Sequence, residues 1–395
     1  MTKKMKQIRV LYVPVLLLAM TLSASAQTAT TVQVSDMPGQ NFGEKLKACI
    51  AKLGAQGGVC DATKISGPQT SQVDPFTAAT GPVRVHLGSA TITTSKGWAM
   101  TDNSVLAGID TNQAKLVLAD GANGDLIANA AGAKGNHHIV LHNLTLDGNG
   151  SRQTKPVSTV HFRKVSQFEL VRVTVLNSAT HGIALDDGCE HGEIRQSTIE
   201  NVLVGSGIRA GNTPMEGAVS FVRLLDNNIR QVKADGIFVL GATASANSHD
   251  ITIQGNTISG VHDTSIEIGD GARTVRVANN TVVLKGAPGG SAGSTGISAR
   301  SSQNVQIVSN TVTGDPAQKQ QVGLLVWSPA TDKGGPLKDV TLETNTLTDV
   351  AGEGIKIHSG DSIKMVRNTV RHSAVKGLEI TTKATHVTQD GNVLE

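Results

Sequence analysis

Two short motifs alternate along this chain from about residue 170 onward, and their alternation constrains the fold more than any other feature. The first is Asn-Thr-aliphatic with an aliphatic residue three places earlier, as in ITIQGNTI (251–258), VRVANNTV (275–282), VQIVSNTV (305–312), VTLETNTL (340–347) and IKMVRNTV (363–370). The second is Gly-aliphatic-x-aliphatic, as in HGIAL (181–185), DGIFV (235–239), TGISA (295–299), EGIKI (353–357) and KGLEI (376–380), with TSIEI (264–268) as a variant lacking the Gly. The equivalent positions Ser197, Asn227, Asn256, Asn280, Asn310, Asn345 and Asn368 lie 23 to 35 residues apart. A conserved pattern with elastic spacing inside one chain marks a stack of similar units whose insertions bulge from the turns.

Both motifs alternate aliphatic and polar residues, so each is a short strand with one buried face. Two or three such strands make one coil, and coils stack by parallel pairing at about 4.8 Å. The recurrent Asn predicts a ladder of amide hydrogen bonds at one turn of every coil, comparable to the Asn ladders of stacked cross-β chains. No 3.6-residue periodicity runs through this region, which excludes a helical solenoid.

Composition agrees where it matters. Only 9 of 395 residues are Phe, Trp or Tyr, while 43 are Gly and 38% are hydrophobic. So few rings cannot fill the core of a compact globule of this length, whereas stacked aliphatic rows can fill a solenoid. The formal charge of +3 is misleading, because residues 1–26 read as a secretory leader. Lys3, Lys4, Lys6 and Arg9 precede an apolar stretch from Val10 to Met20 and a small-x-small cleavage site at Ala24-Ser25-Ala26. Without those four basic residues, 31 Lys and Arg face 32 Asp and Glu. No basic field for nucleic acid remains, and the apolar stretch is too short to span a bilayer. The expectation is an exported, monomeric protein with no membrane insertion.

On these motifs the chain resembles the right-handed parallel β-helix (pectate-lyase-like) superfamily over roughly residues 80–390. The expected organisation is all-β: a leader over 1–26, a cap region over 27–80 and a parallel β-helix over 81–395. NFGEKLKACIAKL (41–53) reads as an amphipathic helix with Phe42, Leu46, Cys49, Ile50 and Leu53 on its apolar face. The resemblance implies that it caps the first coil. Cys49 and Cys60 either form a disulfide in an oxidising compartment or stay reduced. Cys189 reads as a small buried hydrophobe.

The resemblance also implies a polysaccharide partner and a substrate groove along the Gly-Ile strands. Their outward positions carry Arg209, Asp235, Phe238, Asp263, Glu267, Arg300, Trp327, Lys356 and His358 along one ribbon. HDTSIEIGDG (262–271) is its densest acidic stretch. A polyuronate lyase would use Lys356, or Arg300 or Arg209, as the base. Asp263, Glu267 and Asp270, with Asp235, would hold a Ca²⁺ that neutralises the uronate carboxylate. A glycoside hydrolase would instead use two of Asp235, Asp263 and Glu267 as acid and as base or nucleophile. Cleavage of an acidic polysaccharide by β-elimination ranks first, hydrolysis second, and a non-catalytic carbohydrate-binding or matrix protein third. Arg209, Phe238, Arg300, Trp327 and His358 are the expected substrate contacts, with the two rings stacking on sugars. KADGIFV (233–239) and GEGIKIH (352–358) resemble polygalacturonase strands, but the paired Asp-Asp and the Gly-His-Gly of that family do not follow in order, and the Asp-Pro-His-Glu of mannuronan epimerases is absent. Asp186-Asp187 with Glu190 and His191 reads as a polar turn, and His137, His138 and His142 as surface residues.

Overall fold

The computed structural model describes residues 29–212, 217–241, 247–284, 294–318, 320–329 and 336–395. The leader over 1–26 lies outside the described residues. Every strand pairing is parallel and joins one coil to the next. A typical coil has three strands: Ser220–Leu225, Asn228–Val232 and Ile237–Leu240 stack on His249–Gln254, Thr257–Val261 and Thr264–Gly269. The Gly-Ile strands form an eleven-stranded sheet from Trp98–Met100 to Lys376–Ile380, and the remaining coil strands join in a second sheet. This is the parallel β-helix that the motifs predict. Stacking begins ahead of residue 81, since Gly58–Ala62 already pairs with Val83–Leu87.

Aliphatic rows such as Ile208, Ile237, Ile266, Ile297, Leu324 and Ile355 fill the interior, all fully buried. The Gly of the second motif is steric: a Cβ on Gly207 would lie 2.6 Å from the Gly236 carbonyl oxygen of the next coil. The amide ladder runs as predicted. Each Asn Nδ2 donates to the Oδ1 of the next, from Asn227 to Asn256 (3.0 Å), Asn280 (2.9 Å), Asn310 (2.9 Å), Asn345 (3.0 Å) and Asn368 (2.9 Å), and on to Asn392. Each Oδ1 also accepts the backbone N–H of the preceding ladder residue, as Asn280 does from Asn256 at 2.9 Å. Coils turn at single left-handed residues rather than loops: Asp226, Asn279, Ser309, Thr344 and Arg367, all with positive φ, sit directly before the ladder position.

Helix α1, Phe42–Leu53, closes the N-terminal end and buries Phe42, Leu46, Cys49, Ile50 and Leu53, the face the sequence predicts. Asn41 caps it by accepting the Glu44 N–H at 3.1 Å. Cys49 and Cys60 form a disulfide that ties α1 to the first coil. Trp98 packs against Phe42 and Phe76 beneath the cap. Cys189 is fully buried, and burial pushes its thiol up to about 12.

Candidate functional site

Parallel register places one outward residue per coil in a column along the eleven-stranded sheet: His161, Ala184, Arg209, Phe238, Glu267, Ser298, Leu325, Lys356 and Glu379. A groove of about 560 Å³ opens in its middle, lined by Asp235, Phe238, Asp263, Glu267, Arg300 and Trp327 among others. Seven of the residues singled out from sequence, these six and Asp270, therefore meet.

Asp235 and Glu267 are nearly buried, at 9% and 8% exposure. Thr264 lies between them: its N–H points to Asp235 Oδ1 at 3.4 Å and its hydroxyl to Glu267 Oε2 at 3.3 Å. Burial, with Glu267 and Asp263 close by, raises the Asp235 carboxyl to about 8. Burial also raises Glu267, but Arg300 opposes it and the result is about 6. Arg300 bridges Glu267 Oε1 (3.0 Å) and Asp270 Oδ1 (2.7 Å). Its guanidinium carbon lies 5.8 Å from the centre of the Phe238 ring and 6.0 Å from that of Trp327. The two outward rings thus flank an arginine, and Trp327 is further anchored by its indole N–H on Ser298 Oγ at 3.1 Å. Both rings still line the groove, so an edge of each remains available to a ligand.

The calcium expected at Asp263, Glu267 and Asp270 does not fit this arrangement. A guanidinium occupies the space between the Glu267 and Asp270 carboxylates where a cation would sit. Among the described residues, no group of three or more His, Cys, Asp or Glu is arranged to hold a metal.

Lys356 and His358 stand apart from the groove. Lys356 is three rungs beyond Glu267, and its ammonium pairs with Glu353 (3.0 Å) and Glu379 (2.8 Å). The Glu379 bond, with that to Glu353, holds its pKa above the ordinary lysine value. A base that must give up its proton needs the opposite shift. His358 donates its backbone N–H to Val326 O at 2.8 Å and lies beside the next rung.

Arg209 belongs to a second cluster that the sequence reading did not recognise. His161 Nδ1 meets Asp125 Oδ2 at 2.9 Å and its Nε2 meets Asp186 Oδ2 at 2.8 Å. Arg209 grips both oxygens of Asp186 at 3.0 and 2.8 Å and reaches His181 Nε2 at 2.7 Å. The Ser206 N–H donates to His181 Nδ1 at 3.0 Å. Burial disfavours a charged His161, yet hydrogen bonds to Asp125 and Asp186 carry it up to about 9. Burial and then Arg209 drive His181 down to about 3. Asp186, read from sequence as part of a polar turn, is completely buried. Burial alone would raise its pKa, but His161 and Arg209 lower it. Carrying the outward column one coil toward the N-terminus would have exposed the cluster, because only Ala184 separates His161 from Arg209.

Known proteins share the architecture. The profile of the right-handed β-helix region matches residues 158–334 and 245–394. The chain belongs to that family. None of the curated proteins is significantly similar to it in sequence. Among solved structures, the A-module of mannuronan C-5 epimerase AlgE6 from Azotobacter vinelandii matches with a TM-score of 0.63 and 16% identity, over 91% of this chain and 98% of that one. The catalytic unit of a GH87 α-1,3-glucanase from Streptomyces thermodiastaticus matches with a TM-score of 0.62 and 17% identity, over 94% and 70%. An exopolygalacturonase from Thermotoga maritima matches with a TM-score of 0.55 and 13% identity, over 92% of both chains. At these identities the likeness is one of fold. No helix among the described residues is long and apolar enough to cross a membrane.

Proposed function

We propose that the chain hydrolyses glycosidic bonds in a polysaccharide, with Asp235 as proton donor and Glu267 as the ionised partner. One observation carries this reading: two buried carboxyls on adjacent coils of one open groove have pKa values of about 8 and about 6. At neutral pH the first keeps its proton and the second is largely ionised. Two carboxyls driven apart in this way form an acid and base or nucleophile pair. Asp235 would protonate the leaving oxygen as the bond breaks. Its partner would stabilise or capture the sugar cation, or deprotonate the incoming water.

This ranking departs from the β-elimination favoured by sequence. Arg209, Arg300 and Lys356, the three candidate bases, are all ion-paired to carboxylates, which strengthens their hold on the proton. Charge also argues against a uronate at the point of cleavage. With Asp235 protonated, Asp263, Glu267 and Asp270 outnumber Arg300 in the groove, and a substrate carboxylate there is repelled. A neutral glycan fits better. The three solved neighbours, a mannuronan epimerase, an α-1,3-glucanase and an exopolygalacturonase, support a polysaccharide as the substrate class and leave the reaction open.

The test is incubation with α-1,3-glucan, xylan, alginate and polygalacturonate. New reducing ends from a neutral glycan, lost in D235N and E267Q, are the expected result. Unsaturated products from alginate or polygalacturonate would replace hydrolysis by elimination. Absence of any product alongside retained binding would remove the enzyme reading altogether.

A further inference from the structure

A second groove, of about 550 Å³, lies on the other sheet, away from the carboxylate pair. Gly192 lies in its floor, and the ring of Phe168 packs beneath it in the core, where a Cβ on Gly192 would collide with it. One wall is aromatic. Phe221 is 47% exposed, and its ring lies parallel to His191, with centres 4.8 Å apart and planes within 3°. His249 meets it edge-on at 5.7 Å. Two residues further along the same two strands the lining is charged: Glu193 takes Arg195 Nε at 2.6 Å and is also gripped by Arg223.

Phe221 is costly where it stands. It occupies a coil corner with φ of 53°, and the equivalent corners carry His191, Asp250, Thr274, Asn304, Asp339 and Ser362, also at positive φ. Those residues are polar or short, as a left-handed exposed corner favours. A bulky apolar residue there is an outlier. This chain has only eight rings beyond residue 26, and five of them, Phe42, Phe76, Trp98, Phe162 and Phe168, are buried. Placing one of the remaining three at a strained, half-exposed corner beside a carboxylate held between two guanidinium groups calls for a ligand. That ligand must have one apolar face and many hydroxyls. An isolated nucleobase would also stack, but Glu169 and Glu193 balance Arg195 and Arg223 in the lining, which offers no basic stripe for its phosphates.

We infer that this groove is a second, non-catalytic glycan site, in which the C–H face of a neutral pyranose packs against Phe221 while Glu193, Arg195 and Arg223 hold its hydroxyls. The inference rests on the proposal that the partner is a polysaccharide, but not on hydrolysis. It gives the protein a hold on a polymer separate from the groove that contains Asp235 and Glu267.

The test is co-sedimentation of the full chain with insoluble α-1,3-glucan, xylan and cellulose, using F221N and D235N. Asn tolerates the left-handed corner, as Asn304 does, so F221N removes the ring without adding strain, and an undiminished Tm verifies its fold. The expected result is that wild type pellets with at least one glycan while F221N binds about tenfold more weakly. Wild-type binding by F221N, or no pelleting of wild type with any of the three, overturns the inference. Loss of binding in D235N but not in F221N overturns it too, and leaves the carboxylate groove as the binding site. Loss in F221N, in a protein that releases no product, sustains this site and removes the hydrolase reading.

Discussion

Asp235→Asn replaces the carboxyl whose ionisation the fold resists most, and its consequence for stability can be worked out without knowing the substrate. The carboxyl rises from 3.8 to about 8 on folding. At about 1.4 kcal/mol per pK unit, that sets a ceiling of roughly 5–6 kcal/mol. Relaxation and water entry at a real site reduce it to about 2–3 kcal/mol. A group whose folded pKa is raised contributes stability that is fully present below its unfolded value and lost as pH rises through its folded one. Wild type therefore loses stability between about pH 4 and pH 8 on this account, whereas the Asn variant does not. Calorimetric Tm values for both proteins at pH 4, 6 and 9 should show a gap that widens with pH, the variant ending several degrees higher while its activity is abolished. A gap of the same size at pH 4 and pH 9 would mean that Asp235 ionises freely, and the proton-donor assignment would lose its physical basis.

Three further outcomes follow from the same contacts. Arg300→Gln removes the cation 3.0 Å from Glu267 and should raise that carboxyl above about 6 by at least about one pK unit; carboxyl-carbon NMR titration reads this directly, and an unmoved titration would contradict the assignment. Asn280→Ala strips the ladder bonds to Asn256, Asn310 and Ile253, leaving buried groups unpaired at about 1–3 kcal/mol each. Urea unfolding should show a loss of roughly 3–5 kcal/mol, against about 0.5 kcal/mol or less for exposed Gln306→Ala. Removing the Cys49–Cys60 bridge, which spans 11 residues, should cost about 3 kcal/mol and speed hydrogen exchange over residues 31–62 while the middle coils stay protected.

Most of the architecture was legible because every coil repeats the same local demands. The ladder Asn must satisfy a buried turn, the motif Gly must admit the backbone of the next coil, and α1 shows its buried stripe in its spacing. The middle of the candidate groove was legible for the same reason: Asp235, Phe238, Glu267, Arg300 and Trp327 occupy fixed offsets from their Gly-Ile motifs, so register alone brings them together. The His161 cluster was hidden because Asp125 and His161 precede the clear repeats, and because Asp186 looks like an ordinary turn residue until its partners are known.

The sequence by itself determined the solenoid, its cap and the ribbon of outward side chains, since alternation within a strand is local and has a period of two. Tertiary structure alone decided what those side chains do. It set Arg300 between two carboxylates and beside two rings. It tied Lys356, one of the candidate bases for elimination, to Glu353 and Glu379. The physical reason is that a charge takes its chemistry from its nearest partners. Most of those partners lie on a neighbouring rung, more than 20 residues away in the chain, at distances that only the stacked coils define.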